Sequence, residues 1–190
     1  MIGVIGYLCL DLFPELGNEP FKFIPGILRE IGAIPGAPGG TIGNTGGALC
    51  KLGLPVRLGA LIGDDLFASV LEEAMKELVG EQGKLILKTV PGKNTGYAIV
   101  LSPVDSDRMF LASRGVNDLL DADSFGPEFR KNLEILHFGY PPLCRKMAEY
   151  DGRETRKLFY LCTGKGYELH WTFLFHPLEL FLIPWSGSLT

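Results

Sequence analysis

Two groups of residues in this chain have types and spacing that could meet a ligand. Asp11 lies between Leu10 and Leu12, just after a short apolar run, Ile2–Leu8, that fits a buried central strand. An acid at the carboxyl end of such a strand sits where open α/β sheets bind ligands, although Asp also caps turns and helices. The second group is Pro38–Asp65, PGGTIGNTGGALCKLGLPVRLGALIGDD, in which Gly39 and Gly40 open a helix carrying Asn44, Gly46 and Gly47. Glycines there let the backbone approach something closely, and a first helical turn offers unpaired N–H groups to an oxygen-rich ligand. A phosphate cradle and an ordinary glycine-rich loop both fit. The glycines lack the GxGxxG spacing and do not follow the first strand at once, which argues against a nicotinamide-binding Rossmann domain.

The elements that must position these residues alternate. The helix after Gly40 stops at Gly53, a C′ glycine, and an apolar strand spans Val56–Ile62. Asp64 or Asp65 caps the next helix, whose predicted buried face is Phe67, Val70, Leu71, Ala74 and Leu78, with Glu72 and Lys76 paired on the other side. Strand, helix, strand, helix in sequence predicts a parallel α/β sheet. Leu12–Ala37, dense in Pro and Gly, reads as loop with one or two short exposed strands. LILKTV, TGYAIVL and RMFLAS read as an inserted β-meander between turn-forming breaks, and Ile135–Phe138 as another buried strand.

Composition narrows the class. The chain has 190 residues, 46% hydrophobic and 21% charged, which predicts one domain with a substantial core. A net charge of −4 without a basic block gives no electrostatic case for nucleic acid. Cys9, Cys50, Cys144 and Cys162 have no CxxC spacing and read as reduced thiols, and His170 and His176 lack acids or cysteines at ligand spacing, so no metal site is expected. No signal peptide opens the chain, and Leu169–Leu178 is far shorter than the roughly 20 residues a membrane helix needs. The expectation is a cytoplasmic protein with neither nucleic-acid nor membrane partners. Beyond Lys157 the composition breaks. Only Lys165, Glu168 and Glu179 of the 18 basic and 22 acidic residues lie there, without a period of 2 or 3.6. Residues 158–190 therefore read as an aberrant tail, either the product of a frameshift between about Arg153 and His170 or a divergent C-terminus.

Four stretches in order resemble the ribokinase-like, or PfkB-type, carbohydrate kinases: Val4–Asp11, Pro38–Asp65, TGYAIVL with DRMFLASRGVN, and ILHFGYPPL at Ile135–Leu143. The resemblance covers about the first 150 residues. It implies a ribokinase-like parallel sheet with helices on both faces and a small β lid, built from about 12–37 and 95–114, that closes over a sugar and can serve as a homodimer contact. It implies that Asp11 accepts from sugar hydroxyls, that Gly39 and Gly40 let the backbone close on the sugar, and that Asn44 donates to another hydroxyl. A carboxylate and an amide converging from one side suit vicinal O–H groups. Arg108 and Asn117 match positions that contact the far end of the sugar in some relatives, and Arg108 favours a substrate carboxylate or phosphate. Ile42 and Gly46 depart from the family's usual residues, and Cys9 stands where ribokinases proper have a sugar-binding Asn, which leaves the sugar open.

The family's chemistry, ATP-dependent phosphorylation with Mg2+, resides late in the chain in a DTxGAGD-type motif that supplies a catalytic Asp and an anion hole. No such string is present: Cys162-Thr163-Gly164-Lys165-Gly166 is too short and lacks the Asp. The expectation is residues 1–157 as the N-terminal part of a sugar kinase domain, with the C-terminal half and the main ATP segment missing. No catalytic residue is expected in the chain, which would be inactive alone. The competing expectations are a non-catalytic sugar- or nucleoside-binding or dimerising module, and a gene remnant that folds poorly because its sheet keeps a bare edge.

Overall fold

A computed structural model describes residues 1–81, 83–104 and 106–162 together with the backbone of 168–172. In chain order the strands are β1 (Ile2–Gly6), β2 (Leu8–Leu12), β3 (Gly36–Gly39), β4 (Val56–Ile62), β5 (Lys84–Thr89), β6 (Tyr97–Leu101), β7 (Met109–Ser113), β8 (Ile135–Gly139) and β9 (Glu168–Thr172). The helices are α1 (Gly47–Lys51), α2 (Leu66–Val79), α3 (Pro127–Arg130) and α4 (Arg145–Cys162), the last interrupted by non-helical backbone from Glu149 to Gly152. A five-stranded sheet runs β5-β4-β1-β8-β9, every pair parallel, and a four-stranded sheet runs β3-β2-β6-β7.

The inner strands β1, β4 and β8 of the parallel sheet are buried on both faces, as crossover helices require. Val4, Val56, Leu58, Ala60 and Ile62 point to the α2 side and pack with Leu71, Met75 and Val79. Ile5, Leu61, Leu136 and Phe138 point the other way and pack with Phe125 and Phe129 near α3 and with Met147 and Leu158 of α4. Gly59 leaves room for the Phe125 and Phe129 rings, since a Cβ there would lie 2.8 Å from Phe129. The chain thus has the expected α/β fold with helices on both faces and a small second sheet.

Three expectations change. LILKTV is β5, the parallel edge partner of β4, so the inserted hairpin has two strands, β6 and β7. An edge strand of a parallel sheet is only half covered, and its alternation then looks like that of a meander strand. Between Phe13 and Pro35 no strand forms. Backbone hydrogen bonds Phe13–Pro35 and Glu15–Ala33 carry the β2–β3 pairing a little further before the chain loops out. The buried stripe of α2 is Ala68, Leu71, Met75 and Val79, while Val70 is exposed. Past residue 157, Leu158 and Cys162 of α4 are fully buried, and the backbone of 168–172 lies beside β8 in the parallel sheet. The CTGKG string beyond Cys162, the side chain of His170, His176 and the frameshift question lie outside the described residues.

Gly53, at φ +72°, ends α1 as a C′ residue. Glu72 and Lys76 pair at 2.7 Å. Gly63-Asp64-Asp65 does more than cap. Asp65 accepts from the Ala68 N–H at the α2 N-terminus and from both the N–H and the hydroxyl of buried Thr95, whose Oγ1 in turn accepts from the Gly63 N–H. Asp64 accepts from the Gly92 N–H. The end of β4 is thereby tied to the loop that enters β6. Burial pushes the Asp65 carboxyl up, but the Thr95 and Ala68 hydrogen bonds more than offset it and hold it below its ordinary value. Asp65→Ala is expected to cost about 2–3 kcal/mol in urea unfolding, for a lost cap and an orphaned Thr95 N–H. A group with a lowered folded-state pKa stabilises above its ordinary range, so the gap to wild type should close as pH falls below about 4.

Candidate functional site

The placement of Asp11 begins with a break in the first strand. Gly6 has φ +149°, a conformation side chains rarely adopt, and a Cβ there would lie 2.6 Å from the Gly139 carbonyl oxygen of β8. The chain therefore leaves the parallel sheet at Gly6 and continues at Leu8 as β2 of the second sheet. Asp11 is not at the carboxyl end of the central strand but inside this second strand, opposite Ala37 on β3 and Ala98 on β6. Asn117 secures the handover. Its Oδ1 accepts from the Leu8 N–H at 3.0 Å, and its Nδ2 donates to the Leu8 carbonyl at 2.9 Å and to the Arg114 carbonyl at 2.8 Å. Gly96 leaves the space, since a Cβ there would lie 2.5 Å from Asn117 Nδ2.

Cys9 and Asp11 share one face of β2, two residues apart. The Cys9 thiol donates to Asp11 Oδ1 at 3.0 Å, and the carboxylate leans over Gly39, where a Cβ would lie 2.1 Å from Oδ2. Gly39 is thus a glycine because the carboxylate occupies its side-chain space. Gly40, at φ +71°, has the Tyr7 carbonyl oxygen 2.3 Å from where its Cβ would be, and Ile42 N–H donates to that same carbonyl. Burial pushes the half-buried Asp11 carboxyl above its ordinary value, against the opposing pull of the Cys9 hydrogen bond. Burial, then the Asp11 charge and hydrogen bond, push the Cys9 thiol far up, so the pair is a thiol donor and a carboxylate acceptor. Among the described residues Asp11 Oδ2 has no donor.

Of the six residues singled out in sequence, Asp11, Gly39 and Gly40 come together. Asn44 is exposed in the π-helical turn Ile42–Gly46 that leads into α1. Asn117 is buried with its amide committed to backbone, so it positions Leu8 rather than facing a ligand. Arg108 is exposed beside the Phe110 ring at the β6–β7 tip, four residues past the Ala112 pair of Ala98, on the order of 13 Å along the ladder from Asp11. It does not join the Asp11 group. Sequence reading missed the pairing of Cys9 with Asp11, although their spacing on one strand face was visible, and it missed Tyr7 and Thr41. Thr41 Oγ1 is buried without a hydrogen bond among the described residues, and it fills the space that the absent side chain of Gly139 leaves.

The glycine pair does not fit a phosphate. The Asp11 carboxylate lies against Gly39 and a backbone carbonyl against Gly40, so an anion would meet negative oxygen at both. Among the described residues no three of His, Cys, Asp and Glu gather as a metal site, and Cys9, Cys50 and Cys144 form no disulfide. The arrangement suits a neutral, hydroxyl-bearing ligand. Asn117→Ala, which orphans two buried groups of Leu8, should lower stability by about 2–4 kcal/mol, whereas Asn44→Ala should shift it by less than about 0.5 kcal/mol. Thermal and urea unfolding of the two variants check this.

No protein-family model matches the chain. Fructokinase-1 of Zea mays is 27% identical over 135 residues, 68% of this chain and 41% of the relative. Fructokinase-1 of Oryza sativa subsp. japonica is 26% identical over 135 residues, with the same two shares. Among solved structures, ribokinase from Giardia lamblia superposes with a TM-score of 0.69 at 18% identity, over 95% of this chain and 52% of that one. Ribokinase of Arabidopsis thaliana complexed with ribose and ATP superposes with 0.65 at 17% identity, over 90% and 52%. The chain spans about two fifths of the length of those curated relatives and about half of those solved chains. In sequence and in fold, this chain resembles the ribokinase-like, PfkB-type carbohydrate kinases.

Proposed function

We propose that the chain carries the hydroxyl-binding side of an ATP-dependent sugar kinase. The observation that carries the reading is the Asp11 carboxylate on β2, held over Gly39 with Oδ2 lacking a donor among the described residues. An acceptor-only group in a partly desolvated site suits a sugar hydroxyl, and the similarity to fructokinases makes fructose the first sugar to test. Gly39 and Gly40 would form the floor and Asn44 the second polar contact, while the lid strands exclude water over the bound sugar. The ATP and Mg2+ of such a reaction would be held by residues outside those described, so the described part binds and orients a sugar without transferring phosphate. It acts on a small molecule in the cytoplasm, without nucleic-acid or membrane partners; among the described residues no helix is long and apolar enough to cross a membrane.

The lid is also the proposed homodimer contact. β7 is an edge strand with Met109, Phe110 and Leu111 all exposed, and Phe23, Ile24, Ile27 and Leu28 are exposed in the loop beyond β2. An unpaired edge with apolar side chains on both faces favours pairing with another chain. Sedimentation velocity should show a concentration-dependent dimer that Leu111→Lys shifts to monomer; a wild type monomeric at all concentrations would contradict the contact.

Isothermal titration of the chain with D-fructose tests the binding reading. Asp11→Asn should weaken binding about 10- to 100-fold, the loss of a hydrogen bond to a charged group. Wild-type affinity should fall as pH drops through the raised Asp11 midpoint, because protonation removes the acceptor-only group, and the Asn variant should be flat there. Equal affinities, or no binding of either D-fructose or D-ribose, would sink the reading.

A further inference from the structure

We propose that Cys9 is a positioning residue for Asp11, its S–H holding Oδ1 so that Oδ2 is the oxygen presented to a ligand hydroxyl. Four observations carry this. Cys9 is buried and its Sγ stands 3.0 Å from Oδ1. Cys9 pairs with Gly39 across the β2–β3 ladder, so the thiol and the empty side-chain space of Gly39 bracket one carboxylate. The carboxylate leans into that space, with Oδ2 nearest the position a Gly39 Cβ would take. Among the described residues the thiol is the only hydrogen-bond donor to Asp11.

The chemistry follows from the donor. A thiol is a weak donor with one hydrogen, so it fixes one oxygen without draining the carboxylate's capacity to accept from a ligand. Burial keeps Cys9 protonated, so it stays a donor wherever Asp11 is ionised. Asp11 is thereby biased toward accepting one ligand hydroxyl through Oδ2 rather than clasping two through both oxygens, and a second hydroxyl must be met elsewhere. The inference rests on the reading of Asp11 as a hydroxyl acceptor.

The test uses the full chain with Cys9→Ala, which removes the donor, and Cys9→Ser, which keeps one. The titration of Asp11, followed by carbon NMR of its carboxyl, reports the pairing, and calorimetry with D-fructose reports positioning. Cys9→Ala should raise the Asp11 midpoint and weaken D-fructose about three- to tenfold, while Cys9→Ser stays within about twofold of wild type on both. An Asp11 midpoint unchanged in Cys9→Ala overturns the proposal, and so does a raised midpoint with unchanged affinity. If the wild type binds no D-fructose, the hydroxyl reading and the presentation of Oδ2 fail together, and the midpoint alone decides whether the thiol holds the carboxylate. Should Cys9→Ala not fold, Asp11→Ala carries the test from the other side. The Cys9 S–H stretching band in the Raman spectrum should move to higher frequency, and a band that stays put overturns the proposal.

Discussion

One stretch of chain serves two sheets, and the rest of the candidate site depends on how it passes between them. β1 must lie flat between β4 and β8 to complete the parallel core, yet β2 must run into the sheet above it. Gly6 supplies the backbone angle, and the Asn117 amide captures both polar groups of Leu8 just past the turn. Buried backbone groups left unpaired at such a corner would each cost about 1–3 kcal/mol, so one side chain that satisfies both fixes the handover. Everything downstream in β2, including Cys9 and Asp11, inherits its position from that corner.

The second constraint is volume. A carboxylate is bulky and needs solvation, and here it fits because Gly39 gives up its side-chain space. The same packing decides what the glycine pair can do. A phosphate cradle needs open N–H groups and positive potential, whereas these glycines face a carboxylate and a carbonyl oxygen. A carboxylate oxygen beside a glycine offers an acceptor to hydroxyls and repels anions. Partial burial adds to this by strengthening each hydrogen bond made there.

Much of the fold was legible in the chain because its signals are local. The apolar runs of β1, β4 and β8, the capping Asp65 and the C′ glycine at Gly53 each declare themselves within a few residues. What was not legible is nonlocal. Whether LILKTV joins the parallel sheet or the lid depends on β4, not on its own alternation. The α2 stripe rotates by one position because Met75 and Val79, not Val70, meet the core. Asp11 was expected at the end of the central strand, but its strand belongs to the second sheet, since Gly6 reads as any glycine until its angle is seen. Asn117 was expected at the far end of the sugar, and nothing nearby in sequence shows that its partner is Leu8, 109 residues away. Arg108 followed its strand to an exposed tip, where the hairpin, not the charge, decides its place.

A crystal structure of the chain grown with D-fructose tests most directly where a sugar sits. The predicted result is a sugar hydroxyl within hydrogen-bond distance of Asp11 Oδ2, above Gly39, with the Cys9 thiol still on Oδ1. A sugar bound away from Asp11, or an Asp11 carboxylate turned out of the Gly39 space to meet it, would contradict the account.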